Sequence, residues 1–226
     1  MSAREWRSAM TVQATSSDRA DYEDPRITRS RALIMAAAAR VFIEHGYPGT
    51  SVDDIAVEAG VSKRTVYNVF DDKEQLFRAI IGEAIATAER FSNELVATTA
   101  EAPDAAAALT ALARELAASV LGGRVVPLRR LLIGEARRFP EFATEYYDRA
   151  PGRVMTAVAG ALRAFDQRGQ LRVDDAELAA EHFAFLTIGA SLDRALFEAG
   201  TDAASADAAI ERAERGAAAF LRAYAP

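Results

Sequence analysis

The sequence predicts an all-α protein of about nine helices, and three observations carry that expectation. Beyond Pro25, apolar residues recur every three to four positions along almost the whole chain, as one face of a helix requires. No stretch alternates convincingly with the period of two that a half-buried strand needs. Glycines and prolines at Gly46, Pro48, Pro103, Gly122, Gly123, Pro140, Pro151, Gly169 and Gly200 supply legible helix stops. No internal repeat of solenoid length is found.

Taken in order, residues 1–26 are polar, mixed in charge and without periodicity, and are expected to be a disordered extension. A first helix over about 28–45 follows from Ile34, Ala38, Val41 and Phe42, with Gly46 and Pro48 as its stop. Ser51, with Asp54 three residues on, opens a second helix as a capping box; Ile55, Ala56 and Ala59 face inward. Gly60 supplies a left-handed stop, Val61 plugs the corner, and Ser62 caps a third, short helix from Lys63 to Phe70. Two helices joined by so tight a turn form a helix-turn-helix. Asp72, with Gln75 three residues on, opens a fourth helix that carries Leu76, Ile80, Ile81, Ala84, Ile85 and Ala88. Alanine-rich helical segments are expected at about 104–120, 126–138, 141–168, 175–198 and 204–224, the fourth of them opened by Asp174 and Glu177.

Composition narrows the chemistry. The 226 residues hold no cysteine and two histidines, His45 and His182, far apart in sequence, so disulfides, thiolate metal sites and a catalytic cysteine are excluded and an imidazole-rich site is not expected. No apolar run of signal-peptide or membrane-span length occurs, which leads to the expectation of a soluble cytoplasmic protein with no membrane partner. No nucleophile–base set or phosphate-cradling glycine loop is evident, so no catalytic residue, metal or cofactor is assigned. The net charge of -6 opposes a nucleic-acid partner at first sight. Between Arg26 and Arg78, however, eight Lys or Arg stand against seven Asp or Glu, and the chain's two lysines, Lys63 and Lys73, both lie in this segment.

On the third helix, Val66, Val69 and Phe70 form the apolar side and leave Lys63, Arg64, Thr65, Tyr67 and Asn68 on the other. Those side chains have the donors and acceptors that read base edges and hold phosphates, on the part of a recognition helix that enters a major groove. The plain alternative is a helical hairpin whose polar face is merely solvated.

The stretch TSVDDIAVEAGVSKRTVYNVFDDKEQLF, Thr50–Phe77, with ALIMAAAARVFIEHGYPGTS before it, resembles the DNA-binding domain of TetR-family transcriptional regulators over about 50 residues. The resemblance implies that Thr50 and Tyr67 touch phosphates, that Lys63, Arg64, Thr65 and Asn68 face the groove, and that Lys73 holds a phosphate; Ser62 is counted with them among the DNA-binding residues. Val69 departs from the pattern, which has His or Tyr there, and so implies one backbone contact fewer. The remainder, through PLRRLLIGEARRFPEF and RAFDQRGQLRVDDAELAAEHF, is similar to the AefR-like subgroup.

By that likeness residues 27–75 form the DNA-binding domain and 76–226 a helical ligand-binding and dimerisation domain. Its last two long helices would pair two copies. The implied function is a ligand-responsive repressor that binds a near-palindromic double-stranded operator as a homodimer, with a small-molecule effector. A helical carrier or an enzyme with a vestigial DNA-binding head is the alternative. The expected effector-pocket residues are Arg137, Phe139, Tyr146, His182, Phe183 and Phe185. For Arg137 the competing reading is a surface ion pair, and for His182 a satisfied buried or interface histidine. In the last helix Gly216, Ala217 and Ala218 suit either a core helix or close packing against a partner chain.

Overall fold

The computed structural model of the chain describes residues 25–198 and 203–226, and they are helical throughout, with no strand among them. Of the extension expected over residues 1–26, all but Pro25 and Arg26 lies outside the described residues. α1 (Pro25–Gly49) buries Ile34, Ala37, Ala38, Val41 and Phe42 along one stripe, and Gly46, at φ 71°, breaks its regular geometry. Only glycine adopts that φ readily, so the chain can double back and return Tyr47 to the core. α2 (Val52–Ala59) and α3 (Lys63–Tyr67) follow, then α4 (Lys73–Ala100), whose 28 residues extend about 42 Å from the head into the body of the protein.

The body consists of α5 (Ala105–Leu121), α6 (Val125–Glu135), α7 (Pro140–Arg149), α8 (Pro151–Gln167), α9 (Ala176–Ala184), a π turn (Phe185–Gly189), α10 (Ala190–Phe197) and α11 (Ala203–Ala223). In the head, α3 ends at Tyr67 rather than at Phe70, and three features of the body also differ from the sequence expectation. The 141–168 segment is two helices, because Pro151 cannot continue the hydrogen bonding of α7 and starts α8 instead. α9 is capped by Asp175, whose Oδ1 accepts from the Leu178 amide at 3.0 Å, rather than by Asp174; Glu177 pairs with Arg163. The 175–198 segment is interrupted by the π turn, which widens the helix by one residue. The buried Thr187 hydroxyl donates to the Phe183 carbonyl at 2.8 Å, supplying a partner where the regular ladder is broken.

Two continuous cores result. One joins α5, α8, α9 and α11 through residues such as Leu109, Leu162, Phe165, Phe183 and Phe220. The other joins the head to α6 and α7, for Ile34, Phe42, Tyr47, Ile55, Val66 and Phe77 share it with Leu128, Leu132, Phe139 and Phe142. α11 crosses the π turn so closely that a Cβ on Gly216 would stand 2.2 Å from the Leu186 carbonyl oxygen. Gly216 and Ala217 are therefore packed inside their own chain, and of the three small residues only Ala218 is exposed.

Candidate nucleic-acid interface and internal cavity

Local chemistry builds the head. The Asp54 amide donates to Ser51 Oγ at 3.1 Å, and the Ser51 amide donates to Asp54 Oδ2 at 3.0 Å, closing the capping box. These hydrogen bonds from Ser51 hold the Asp54 carboxyl below the usual carboxylate range. Gly60, at φ 66°, ends α2, and the Val61 amide returns to the Ala56 carbonyl at 3.0 Å. Ser62 Oγ accepts from the Thr65 amide at 3.1 Å, which orients α3 with Val66 inward.

The outward face carries Lys63, Arg64, Tyr67 and Asn68, all exposed. Lys63 Nζ donates to Asp53 at 2.9 Å, and that hydrogen bond raises the lysine's pKa above its ordinary value. Both partners are solvated, so the pair yields easily to a phosphate. Arg64, Tyr67 and Asn68 make no side-chain hydrogen bond or ion pair among the described residues and project from α3 with their polar atoms uncommitted. Thr65 is half-buried, with its hydroxyl 2.8 Å from that of Ser62, so these two residues serve each other.

Thr50 and Lys73, expected at phosphates, are turned inward. Thr50 is 3% exposed and its hydroxyl donates to the Gly46 carbonyl at 2.7 Å, securing the end of α1. Lys73 Nζ donates to the carbonyls of Tyr47 and Thr50 at 2.9 and 2.8 Å and stands 4.3 Å from the centre of the Tyr47 ring. Burial, helped by Arg138 and opposed by Glu135, lowers its pKa. The physical reason is that the break at Gly46 leaves the carbonyls of Tyr47 and Thr50 without α-helical partners, and an ammonium on a flexible stem satisfies both. Lys73→Met, which keeps the stem, is expected to cost about 1.5–3 kcal/mol of stability. The slope of log affinity against log salt for DNA should then change by less than the roughly 0.9 that a lost phosphate contact would give. A full loss of one contact in a salt titration would restore Lys73 to the interface. Sequence reasoning overlooked Arg31, which lies over the Phe70 ring at 4.7 Å beside the α3–α4 turn.

Above the head, a cavity of about 1050 Å³ lies between the helices of the body. Ile43 of α1, Phe91 of α4, Val120 of α5, Leu128 of α6, Met155 of α8 and Ile188 of the π turn line it. Tyr146 and Phe185 also line it, as expected of them, but the other four anticipated pocket residues do not. Phe139 is packed against Tyr47 at 4.8 Å between ring centres, Phe183 is buried against Phe220 at 5.3 Å, His182 Nδ1 lies 2.6 Å from the Tyr224 hydroxyl, and Arg137 is exposed. The hydrophobicity of an aromatic residue does not say whether it faces another ring or an empty volume. Arg129, missed by the sequence reading, is part of the cavity wall. Among the described residues no group of three or more His, Asp or Glu is placed to hold a metal ion, and no single helix is long and apolar enough to cross a membrane.

Comparison with known proteins agrees with this geometry. Residues 34–80 match the family model for bacterial regulatory proteins of the tetR family, and residues 107–226 match the model for the C-terminal domain of AefR-like transcriptional repressors. Over 55 residues the chain is 40% identical to the transcriptional repressor BepR of Brucella suis biovar 1, a match that spans 24% of this chain and about a quarter (26%) of that relative's length. A TetR-family transcriptional regulator from Mesorhizobium loti MAFF303099 is 31% identical, with a TM-score of 0.78 over 89% of this chain and 99% of that one. The flavonoid-responsive regulator FrrA is 29% identical, with a TM-score of 0.62 over 88% of this chain and 98% of its own.

Proposed function

The chain belongs to the TetR family of DNA-binding transcriptional regulators, and from that membership we propose a ligand-responsive repressor that binds a near-palindromic operator as a homodimer. Residues 27–75 act as the reading head and 76–226 as the ligand-binding and dimerisation part, the two sharing the core that runs through Tyr47 and Phe139. The observation that carries the reading is the outward face of α3. Its inner side is fixed by the Ser62 cap and Val66, while the side chains of Arg64, Tyr67 and Asn68 present polar atoms that no other described residue engages.

One five-residue helix makes too few contacts to select a site, so two copies must read successive major grooves about 34–36 Å apart. Leu178, Phe185 and Leu186, exposed along α9 and the π turn, support pairing on that side. The cavity supports an effector site, and the likeness to a flavonoid-responsive regulator supports an effector with aromatic rings. Because α1 and α4 both contribute to its walls, an effector that fits one arrangement of these helices better than another changes the separation of the two heads. Such a protein works in the cytoplasm, where its operator is.

Selection of bound duplexes from a random pool tests the proposal. The enriched sequence is expected to contain two inverted half-sites about 10 base pairs apart from centre to centre. Arg64→Ala and Asn68→Ala should each reduce preference for that sequence by roughly ten- to hundredfold while changing binding to bulk duplex far less. If no motif is enriched and duplex affinity shows no dependence on salt, the head reads no DNA and the carrier reading takes its place.

A further inference from the structure

Two neighbouring arginines on α6 are used in opposite ways. Arg130 donates from Nε to the Ala195 carbonyl at 3.0 Å and from Nη2 to the carbonyls of Ala195 and Glu198, closing the C-terminus of α10. Arg129 lines the cavity, and its Nε is enclosed by protein yet hydrogen-bonds to nothing; among the described residues no other buried side-chain nitrogen or oxygen is left so. A guanidinium remains charged at any physiological pH, and a buried donor without an acceptor is unfavourable. We propose that the cavity takes an organic anion with an apolar, ring-bearing body, and that Arg129 binds its charged oxygens. This rests on the reading of the cavity as the effector site.

The disposition of the other charges favours an anion. Glu83, Glu177 and Glu181 also border the cavity, but all three are exposed, and Glu177 is engaged by Arg163. Arg124 is likewise exposed. Water therefore screens the rim charges, whereas Arg129 is half-buried among apolar walls that include Phe91, Leu116, Val120 and Met155. In that setting a cationic ligand meets a like charge, and a neutral hydrocarbon supplies no acceptor to the guanidinium. A carboxylate, phenolate or sulfonate supplies oxygens to the planar fork, and the attraction is stronger there than in water. The volume of about 1050 Å³ accommodates a body of two or three rings.

Two fluorescent probes with one skeleton test this on the full-length protein: the anion 8-anilinonaphthalene-1-sulfonate and the uncharged N-phenyl-1-naphthylamine. Ala84→Trp, which fills the cavity from α4, defines the signal that belongs to the site. Wild-type protein is expected to bind the sulfonate at least about tenfold more tightly than the neutral probe. Arg129→Gln should remove most of that preference and leave the neutral probe within about twofold, and Arg129→Lys, which keeps the charge but not the fork, should fall between. Circular dichroism establishes that each variant is folded, and the wild-type preference alone decides the matter if a variant is not. Equal binding of the two probes by wild type, or an undiminished preference in folded Arg129→Gln, overturns the proposal while the effector-site reading stands. Failure of both probes to give a signal that Ala84→Trp removes overturns both.

Discussion

Gly216→Ala is expected to destabilise the protein by about 3 kcal/mol, a large effect for the addition of one methyl group. The new Cβ would lie 2.2 Å from the Leu186 oxygen, 2.6 Å from its carbonyl carbon and 2.9 Å from Thr187 Cα. All three are backbone atoms of the π turn, so no rotamer change relieves the clash, and α11 must move away by about 1 Å. That movement opens the contact lined by Ala213, Ala217 and Phe220, each fully buried, and forfeits packing along the length of the crossing. For a chain of this size the melting temperature should fall by roughly 6–12 °C. Gly82→Ala on α4 provides the control, because a Cβ there meets nothing within 4 Å and removes only glycine's helix penalty. It should raise stability by about 0.5–1 kcal/mol. Thermal melts of the two variants that shifted in the same direction would show that the close crossing does not exist in solution.

Phe139→Ala should be the most damaging change at the junction of head and body, costing about 3–5 kcal/mol. The ring is 8% exposed and lies between Tyr47, Phe77 and Phe142, at centroid distances of 4.8, 5.6 and 5.1 Å. Tyr47 is also held by Phe42, by Lys73 and, at 5.5 Å, by Arg138. Burial, together with Glu74, keeps its phenol above the ordinary pKa. Removal of Phe139 therefore takes away the one ring by which the α6–α7 turn touches the turn after α1. The head should then unfold separately, giving calorimetric and circular-dichroism transitions that no longer coincide, and effector should lose its influence on operator affinity even where both still bind. Phe139→Leu should recover most of the stability. A single unchanged transition for Phe139→Ala would mean that the two parts are joined chiefly by α4.

The head was legible because its signals are local. Ser51, Gly60, Ser62 and Asp72 each act on a residue two to four positions away, and the chain itself records that relation. The inward turn of Thr50 and Lys73 was not legible, because their acceptors are carbonyls exposed by the break at Gly46, and nothing in their own neighbourhood tells a solvated side chain from one that has found them. In the body, Phe183 and Phe185 were both assigned to the pocket. Two residues apart on a helix means about 200° around it, and they do face opposite ways, one fully buried and the other 74% exposed. Arg129 and Arg130 look alike in sequence for the converse reason: only the carbonyl end of α10, 65 residues on, separates their roles.

The π turn at Phe185–Gly189 is in effect one surplus residue accommodated without a loop. Removing a residue there would rewind the segment as ordinary helix and leave α10 with the orientation it has now, because the wide turn's smaller rotation per residue already absorbs the extra one. Leu192, Ala195 and Leu196 would still look toward the interior. The turn is thus a place where the chain can lose one residue without exchanging the inner and outer faces of α10.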